Sequence, residues 1–206
     1  LPLVLKKLKK FNFKIMVVLH KSDKKTINSI KKFKIRIVYQ KSIGYGDALI
    51  EGINKCSTEF FCIFNADGSF KNTEISKMKK ILDKENLDFV FGSRYQGNSG
   101  SKDDTALTFI GNYIFTKIGQ IFFNLPITDI LYTFVLGRTS KAKKLKLNQK
   151  SFSFCVELPI KAKQNKMLMK SCSSYEYKRI AGKKKVNEFR DGYNILMFMI
   201  RYFFQT

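Results

Sequence analysis

The stretch TEFFCIFNADGSF (58–70) decides the fold class. It is almost continuously apolar from Phe60 to Phe64, as expected of a strand that is covered on both faces. Turn-forming and acidic residues follow at the point where such a strand should end. Because ligands of open α/β sheets bind outside the carboxyl ends of the strands, Asp67 invites a functional interpretation. An ordinary turn is the alternative, since Asn-Ala-Asp-Gly is favourable turn chemistry by itself.

Apolar strand-like runs alternate with amphipathic helical stretches around this strand. The predicted strands are FKIMVVL (13–19), IRIVY (35–39), EFFCIF (59–64) and DFVF (88–91). The predicted helices lie near 26–32, 47–56, 73–83, 106–123 and 156–165. This order predicts an α/β fold, with a mainly parallel sheet and helices on both faces.

The charge of the chain points to anionic partners. Its 206 residues carry 39 Lys and Arg against 16 Asp and Glu, a net charge of +23. This excess favours a phosphate substrate, an anionic membrane surface or nucleic acid, and composition alone does not choose among them. Solvated, lysine-rich helix faces are the alternative. The 44% hydrophobic content excludes a disordered chain.

Cysteine spacing and the chain ends exclude several other classes. The four cysteines form no CxxC pair, so we expect neither a zinc site nor a disulfide framework. The opening LPLVLKKLKK is interrupted too soon by lysine to be a signal peptide or a spanning helix. NILMFMIRYFF (194–204) is apolar but shorter than the roughly 20 residues of a membrane span. We expect it to be a docked or interfacial helix.

Two short motifs carry candidate chemistry. IGYGDALIEGI (43–53) follows a predicted strand, and its glycines would let a phosphate approach a helix N-terminus. Gly44, Gly46 and Asp47 are therefore candidate donor-binding residues, although a structural turn explains a lone GxG as well. Asn65 and Asp67 are two residues apart at a strand end, so both can offer oxygen ligands to Mg²⁺ or Mn²⁺ bridging a diphosphate.

Together the motifs resemble one family. GYGDALIEG, FNADGSF, FGSRY (91–95), ITDILY (127–132), FCVELPIKAK (154–163) and RIAGKKKVNEFRDG (179–192) occur in order along the chain. This pattern resembles family 2 glycosyltransferases of the dolichol-phosphate or polyprenyl-phosphate mannosyltransferase type. The resemblance covers nearly the whole chain from about residue 2.

The resemblance implies a fold, a reaction and partners. It implies a single GT-A domain, 1–206, with a nucleotide-sugar-binding half of about 1–95 and an acceptor and membrane-side half of about 96–206. Such enzymes transfer a sugar, here mannose or glucose, from a GDP- or UDP-sugar to polyprenyl or dolichyl phosphate. The reaction depends on Mg²⁺ or Mn²⁺ and inverts the anomeric carbon. The implied location is peripheral, at the cytoplasmic face of an anionic membrane, and nucleic acid is not an implied partner.

The resemblance also assigns residues. The DxD-type motif maps onto Asn65, Ala66 and Asp67, with Asn65 as a neutral substitute for the first carboxylate. Arg94 would face a phosphate, and Asp129 would lie in the acceptor-side segment. The basic loop that grips phosphates maps onto Arg179, Lys183 and Lys185.

The chain departs from the family on the nucleotide side. It begins at the helix that follows the family's first strand, so the resemblance implies that this strand is absent. Leu19 and His20 stand where the family has two aspartates, and Thr133 to Val135 replace Gly-Phe-Arg. A family 2 transferase with another acceptor and a noncatalytic remnant that binds anionic lipid are therefore the alternatives. Glu157 matches a family position, but a structural role is an equal expectation for it.

Overall fold

Helices and strands alternate through the first half of the chain in the computed structural model, which describes residues 1–182 and 186–205. The elements of this half are α1 (Pro2–Leu8), β1 (Met16–Leu19), α2 (Lys24–Ile30), β2 (Arg36–Tyr39), α3 (Tyr45–Lys55), β3 (Phe60–Ile63), α4 (Thr73–Lys84) and β4 (Phe89–Ser93). Each predicted strand contains or overlaps an observed one. The predicted order of elements is therefore confirmed.

The second half is richer in helix. Its elements are β5 (Gly100–Ser101), α5 (Ala106–Phe123), β6 (Val135–Arg138), α6 (Thr139–Lys144), α7 (Phe154–Gln164), β7 (Met169–Ser173), β8 (Tyr175–Glu176) and α8 (Glu188–Phe204). α5 has the predicted bounds, and α8 contains the apolar C-terminal run. Among the helices in the described ranges, none combines the length and apolarity needed to cross a membrane.

The central sheet has four strands in the order β3-β6-β4-β7. β4 and β7 are parallel, whereas β6 is antiparallel to both of its neighbours. β1 pairs with β2 and β5 with β8, each in parallel. Three of these five strand pairs are parallel, so the α/β prediction is confirmed, with β6 as an antiparallel insertion that the sequence pattern did not predict.

Successive residues of β4 pack on opposite faces of the sheet. Phe89 and Phe91 join a core with α7, while Val90 joins a second core with α4. Period-2 alternation produces this result, and both sides are apolar because helices cover both faces. The predicted placement of helices on both faces is thus confirmed. The division into halves at about residue 95 stays a prediction.

The first helix bridges two cores. Val4 and Leu8 of α1 pack with the residues of α4, whereas Leu5 packs with Leu19 and Ile30 of the β1–β2 unit. Because these three α1 positions are apolar and neighbouring on the helix, one short helix covers both units. α1 therefore connects the two-stranded sheet to the central one.

The close packing of β6 against β4 can be tested at Gly137. A Cβ at Gly137 would lie 2.4 Å from Cδ1 of Phe89 and 3.0 Å from Cε1 of Phe61. Phe89 has no exposed surface, so it cannot yield. We expect Gly137→Ala to lower the free energy of unfolding by about 1–3 kcal/mol in urea titrations followed by circular dichroism.

Gly111→Ala is the matched control for this substitution. Apart from its own helix, no atom of the described chain lies within 4 Å of a Cβ at Gly111 in α5. Alanine is favoured over glycine inside a helix, so the free energy of unfolding of this variant should equal that of the wild type or exceed it by up to about 1 kcal/mol. Equal urea midpoints for Gly137→Ala and the wild type would contradict the packing described for β6.

Candidate active site

The turn that follows β3 holds the candidate metal ligands, Asn65 and Asp67, both half-buried. Oδ1 of Asp67 accepts hydrogen bonds from the amide and the hydroxyl of Ser69, at 3.0 and 2.7 Å. Gly68 has φ +90°, a left-handed conformation that glycine adopts without steric cost. The stretch is therefore a well-formed turn. Oδ2 of Asp67 accepts no hydrogen bond from the residues that the structure describes.

The chain that follows β8 fastens this turn. The amide of Tyr177 donates to the carbonyl oxygen of Ser69 at 2.9 Å, and the amide of Ile180 donates to that of Asp67 at 2.8 Å. A Cβ at Gly68 would lie 2.6 Å from Cδ1 of Ile180, so only glycine allows this approach. The turn and the segment after β8 are therefore held in fixed positions relative to each other.

Arg179 belongs to the same segment and lies near two carboxylates. Its Nε and Nη2 both donate to the carboxylate of Asp103. This interaction raises the pKa of Arg179, and the charge of Asp67 adds to the effect. The structure thus brings Arg179 into the electrostatic neighbourhood of Asp67. Lys183 and Lys185, the other predicted members of the basic loop, lie outside the described residues.

Arg94, directly after β4, is surrounded by three carboxylates, and we call this group the Arg94 cage. Nε and Nη2 of Arg94 donate to the two oxygens of Asp129, at 2.8 and 3.0 Å, as a bidentate pair. Nη1 donates to Asp104 and to Glu176, both at 3.0 Å. The guanidinium carbon also lies 4.7 Å from the ring centre of Tyr132.

The charges of the Arg94 cage are buried. The side chain of Arg94 is 9% exposed, and that of Asp129 is not exposed at all. Burial lowers the pKa of Arg94, but Asp129 and the other carboxylates outweigh it and raise the pKa well above its usual value. Burial raises the pKa of Glu176, although Arg94 and Ser101 oppose this shift. One cation among three carboxylates leaves an excess of negative charge, which repels a phosphate.

The structure gives Arg94 and Asp129 a different task from the predicted one. All three guanidinium nitrogens already donate to carboxylates, so a phosphate contact would require Arg94 to leave the cage. Asp129 is fully buried and also accepts a hydrogen bond from Asn112 at 2.6 Å, so it cannot touch a substrate here. In this structure both are positioning residues. A direct role in the reaction stays a prediction.

The GYG motif packs closely against the protein's own backbone. A Cβ at Gly44 would lie 2.2 Å from the carbonyl oxygen of Lys150, and one at Gly46 would lie 2.0 Å from that of Gln149. Asp47 accepts bonds from the amide and the hydroxyl of Ser42, at 2.9 and 2.8 Å. The space beside the glycines is thus filled by the protein's own backbone. Donor binding at Gly44, Gly46 and Asp47 stays a prediction.

Glu157 and His20 have structural surroundings. Glu157 is fully buried and accepts hydrogen bonds from the amides of Asn148 and Gln149, which fixes the loop that packs on the GYG motif. Nδ1 of His20 lies 2.6 Å from the hydroxyl of Ser22 in an exposed turn. Of the two roles expected for Glu157, the structural one accounts for these contacts.

A cavity of about 330 Å³ lies next to the turn that follows β3. Its walls come from α1, from residues 68–72 and from the segment 177–180. Most of the lining is apolar, but three lysines contribute to it, Lys7, Lys71 and Lys178. A cavity with apolar walls and a few convergent cations suits a ligand that has both a flat organic group and phosphates. None of these lysines was predicted as a site residue.

Sequence reasoning also missed the acidic members of the Arg94 cage. Asp104 and Glu176 come from separate segments, so their convergence on Arg94 depends on the tertiary fold. The signal that would have indicated Asp104 is the adjacent pair in KDDT (102–105), because acidic residues are scarce in this basic chain.

The turn fits a cation only as a partner of a bound phosphate. In the described ranges, no group of three or more His, Cys, Asp or Glu side chains is arranged to hold a metal. Asp67 offers its free Oδ2, and Asn65 and Asp67 together offer two side chains. Mg²⁺ in phosphate-transferring sites is held by one or two carboxylates, with substrate phosphates and water completing its shell. The residues present match that arrangement and not an all-protein site.

The importance of the Arg94 cage for folding can be measured with Arg94→Gln. This change leaves the fully buried Asp129 without its cation, which costs about 3–5 kcal/mol in buried ion pairs. Lys170→Gln is the control, because its pair with Glu85 is solvent-exposed and contributes about 1 kcal/mol or less. Urea titrations of both variants should show a large decrease in the free energy of unfolding for Arg94→Gln only. Equal losses would contradict the cage as described.

Comparison with known proteins agrees with this fold. The family model described as glycosyl transferase family 2 matches residues 1–146. The chain is similar to glucosyl-3-phosphoglycerate synthase from Mycobacterium tuberculosis in complex with UDP, at 12% identity and TM-score 0.68, over 91% of this chain and 68% of that one. The chain is also similar to mannosyl-3-phosphoglycerate synthase from Rubrobacter xylanophilus, at 12% identity and TM-score 0.69, over 99% of this chain and 69% of that one.

A third solved structure is that of the Mycobacterium tuberculosis synthase in complex with Mn²⁺, UDP and phosphoglyceric acid. It gives 11% identity and TM-score 0.69, over 98% of this chain and 73% of that one. At these identities the likeness establishes the GT-A fold that the sequence predicted. Since the family model covers well over half of the chain, this protein belongs to glycosyl transferase family 2.

Proposed function

We propose that this protein transfers a sugar from a nucleotide donor to a lipid-linked phosphate. The observation that carries the proposal is the turn after β3, where Asp67, with an oxygen that accepts no hydrogen bond from the described residues, directly precedes Gly68 in the wall of a cavity with three lysines. Family 2 membership supplies the reaction class. The expected sugar is mannose or glucose, and the expected acceptor is polyprenyl or dolichyl phosphate.

The cavity beside the turn is the proposed donor site. Lys7, Lys71 and Lys178 act as point charges for a diphosphate, and Phe64 and Tyr177 offer flat apolar surface to a base. A relative of similar fold, the Mycobacterium tuberculosis synthase, has been solved with Mn²⁺, UDP-glucose and phosphoglyceric acid. This supports a GDP- or UDP-sugar as donor here.

Mg²⁺ or Mn²⁺ is the proposed cofactor, held by Asp67 and Asn65 together with the donor. When bound, such a cation neutralises charge that develops on the leaving diphosphate. Asp67 keeps one oxygen available because Ser69 occupies only the other one. Asn65 offers a carbonyl oxygen but no charge, so the cation affinity of the free protein should be low.

The chain's own residues act by positioning and by charge. The acceptor phosphate is already ionised at neutral pH, so it needs no general base, which agrees with the peripheral place of His20. Its oxygen forms a bond to the anomeric carbon while the bond to the diphosphate breaks on the opposite face, and the electron pair leaves with the diphosphate. Arg179 and the lysines of the cavity would stabilise this charge. Lys183 and Lys185 are proposed to contribute to the same role.

The acceptor is the least constrained part of the proposal. A lipid phosphate is favoured by the apolar side chains that begin beside the Arg94 cage, where exposed Phe109 of α5 lies 5.2 Å from the ring of Tyr95. A small phosphorylated acceptor is the second candidate, because relatives of similar fold bind phosphoglyceric acid. The alternative to both acceptors is that the protein is noncatalytic and binds anionic lipid through its charge.

Donor binding tests the proposed site through Asp67. Calorimetry with UDP- and GDP-sugars in the presence of Mn²⁺ should show metal-dependent binding to the wild type. Asp67→Ala removes the only carboxylate of the turn, so we expect its donor affinity to fall about tenfold or more. Asp83→Ala is the control, since Asp83 is an exposed acid paired with Lys79 on α4 and should bind like the wild type.

Two outcomes would contradict the donor site. Equal affinity of Asp67→Ala and the wild type would remove the turn from the site. Binding that ignores the sugar and fades steeply with salt would indicate nonspecific anion binding, because screened surface charge behaves in that way. The noncatalytic alternative predicts the second outcome.

A substitution at Asn65 should strengthen cation binding, whereas Asp67→Ala should weaken donor binding. Asn65→Asp adds a carboxylate two residues from Asp67, so Mn²⁺ should bind more tightly in the presence of UDP. The gain should be several-fold in a calorimetric titration, which corresponds to about 1 kcal/mol of binding free energy. Asn28→Asp, at an exposed position of α2 that does not line the cavity, serves as a control for a general gain in negative charge. Unchanged Mn²⁺ affinity of Asn65→Asp would assign the stretch to the turn alone.

A further inference from the structure

α5 exposes most of its large apolar side chains, although Phe115, Ile118 and Phe123 pack against the core. Its buried residues are Asn112, Thr116 and Gly119, which are polar or small. Its exposed residues include seven large apolar side chains, namely Leu107, Phe109, Ile110, Tyr113, Ile114, Ile121 and Phe122. Ile121 is 70% exposed. A helix of a protein that is surrounded only by water places such residues inside.

The inner face of α5 explains why the helix keeps this orientation. Asn112 donates to Asp129 of the Arg94 cage and accepts from the amide of Leu131. Thr116 accepts from the amide of Ile130, and a Cβ at Gly119 would meet that residue's side chain at 2.9 Å. These buried hydrogen bonds fix the rotation of α5 about its axis. The seven exposed apolar side chains therefore cannot turn inward.

α8 extends the exposed apolar surface. It contributes five large exposed side chains, Phe189, Tyr193, Ile200, Phe203 and Phe204. The two helices pack together, with the rings of Phe122 and Phe203 centred 5.5 Å apart. Twelve of the eighteen large apolar side chains that are exposed in the described part of the chain lie on this pair. We call these twelve residues the α5–α8 face.

α4 of the same chain shows the ordinary arrangement. It buries Ile75, Met78 and Leu82, and it presents lysines to solvent. The exposed apolar residues of α5 and α8 are thus a local property of one surface and not a general feature of this sequence. Concentrated patches of this kind mark interaction sites.

The exposed charges on α5 and α8 are positive. α5 contains one charged residue, the exposed Lys117. α8 presents Arg190 and Arg201, whereas its two acids are Asp191, which is buried, and Glu188, which is half-buried. Apolar side chains flanked by Lys and Arg are the composition of helices that lie in the interface of an anionic bilayer. A second copy related by a two-fold axis would instead bring these cations together.

We infer that the α5–α8 face docks on an anionic lipid bilayer, with both helices lying along the membrane surface. The inference deepens the proposed function, because it rests on a lipid-linked acceptor being reached from the bilayer. α5 begins directly after Asp104 of the Arg94 cage, so docking places the cage beside the lipid surface. The face itself is defined without reference to donor or acceptor.

Vesicle binding tests this inference without donor or acceptor. The wild-type protein should co-sediment with phosphatidylcholine vesicles that contain phosphatidylserine, and less so with phosphatidylcholine alone. Ile110→Glu combined with Ile121→Glu should weaken binding about tenfold or more, because both side chains would carry charge into the apolar layer. Leu168→Glu is the matched control. Leu168 is 56% exposed and directly precedes β7, and it lies at the end of the β4–β7 pair that is opposite to Arg94.

A second measurement does not depend on the folding of the glutamate variant. The chain has no tryptophan, so Phe122→Trp gives a single reporter on the face and Leu168→Trp one away from it. On vesicle binding, the fluorescence emission of Trp at position 122 should shift to the blue and be quenched by brominated lipid. The emission of Trp at position 168 should do neither. This result supports docking through the α5–α8 face.

Three results would overturn the inference. They are a wild type that does not bind anionic vesicles, equal binding by the double glutamate variant, and a dimer in analytical ultracentrifugation that this variant dissociates. The last result would assign the face to a second copy of the chain. Asp67→Ala should bind vesicles like the wild type, so a failed donor site and a failed docking face give different results.

Discussion

The ion pair between Arg94 and Asp129 is the constraint on which the rest of the site depends. Both charges are out of water, and a buried ion tolerates this only when its partners are in place. The partners come from different segments, since Asp104 precedes α5 and Glu176 lies in β8. Folding must therefore bring the end of β4, the start of α5 and the chain after β7 together at one edge of the sheet.

Two consequences of this arrangement meet at the same edge. The segment that continues from Glu176 runs along the turn after β3 and places Arg179 near Asp67. Asp129 also holds Asn112, which orients α5 with its apolar side chains outward. A cation-poor cage and a lysine-lined cavity thus lie side by side in a chain of net charge +23. The excess negative charge of the cage is the reason that we propose the cavity, and not the cage, as the site of the donor phosphates.

The sequence predicted what depends on local pattern. Alternation and periodicity predicted the strands and helices of the first half and the bounds of α5. They did not predict β6, whose antiparallel place between β3 and β4 depends on long-range pairing. They also did not reveal that a distant loop, 149–150, packs beside Gly44 and Gly46. Arg94 was identified as important, but its partners are 10 to 82 residues away along the chain.

The proposed function depends on a lipid phosphate as the acceptor. It is tested most directly by incubating the protein with labelled UDP- or GDP-sugar and Mn²⁺, offering polyprenyl phosphate and 3-phosphoglycerate in parallel. The account predicts label in the organic-soluble product, with the anomeric configuration inverted. Label transferred only to 3-phosphoglycerate, or to neither acceptor, would contradict it.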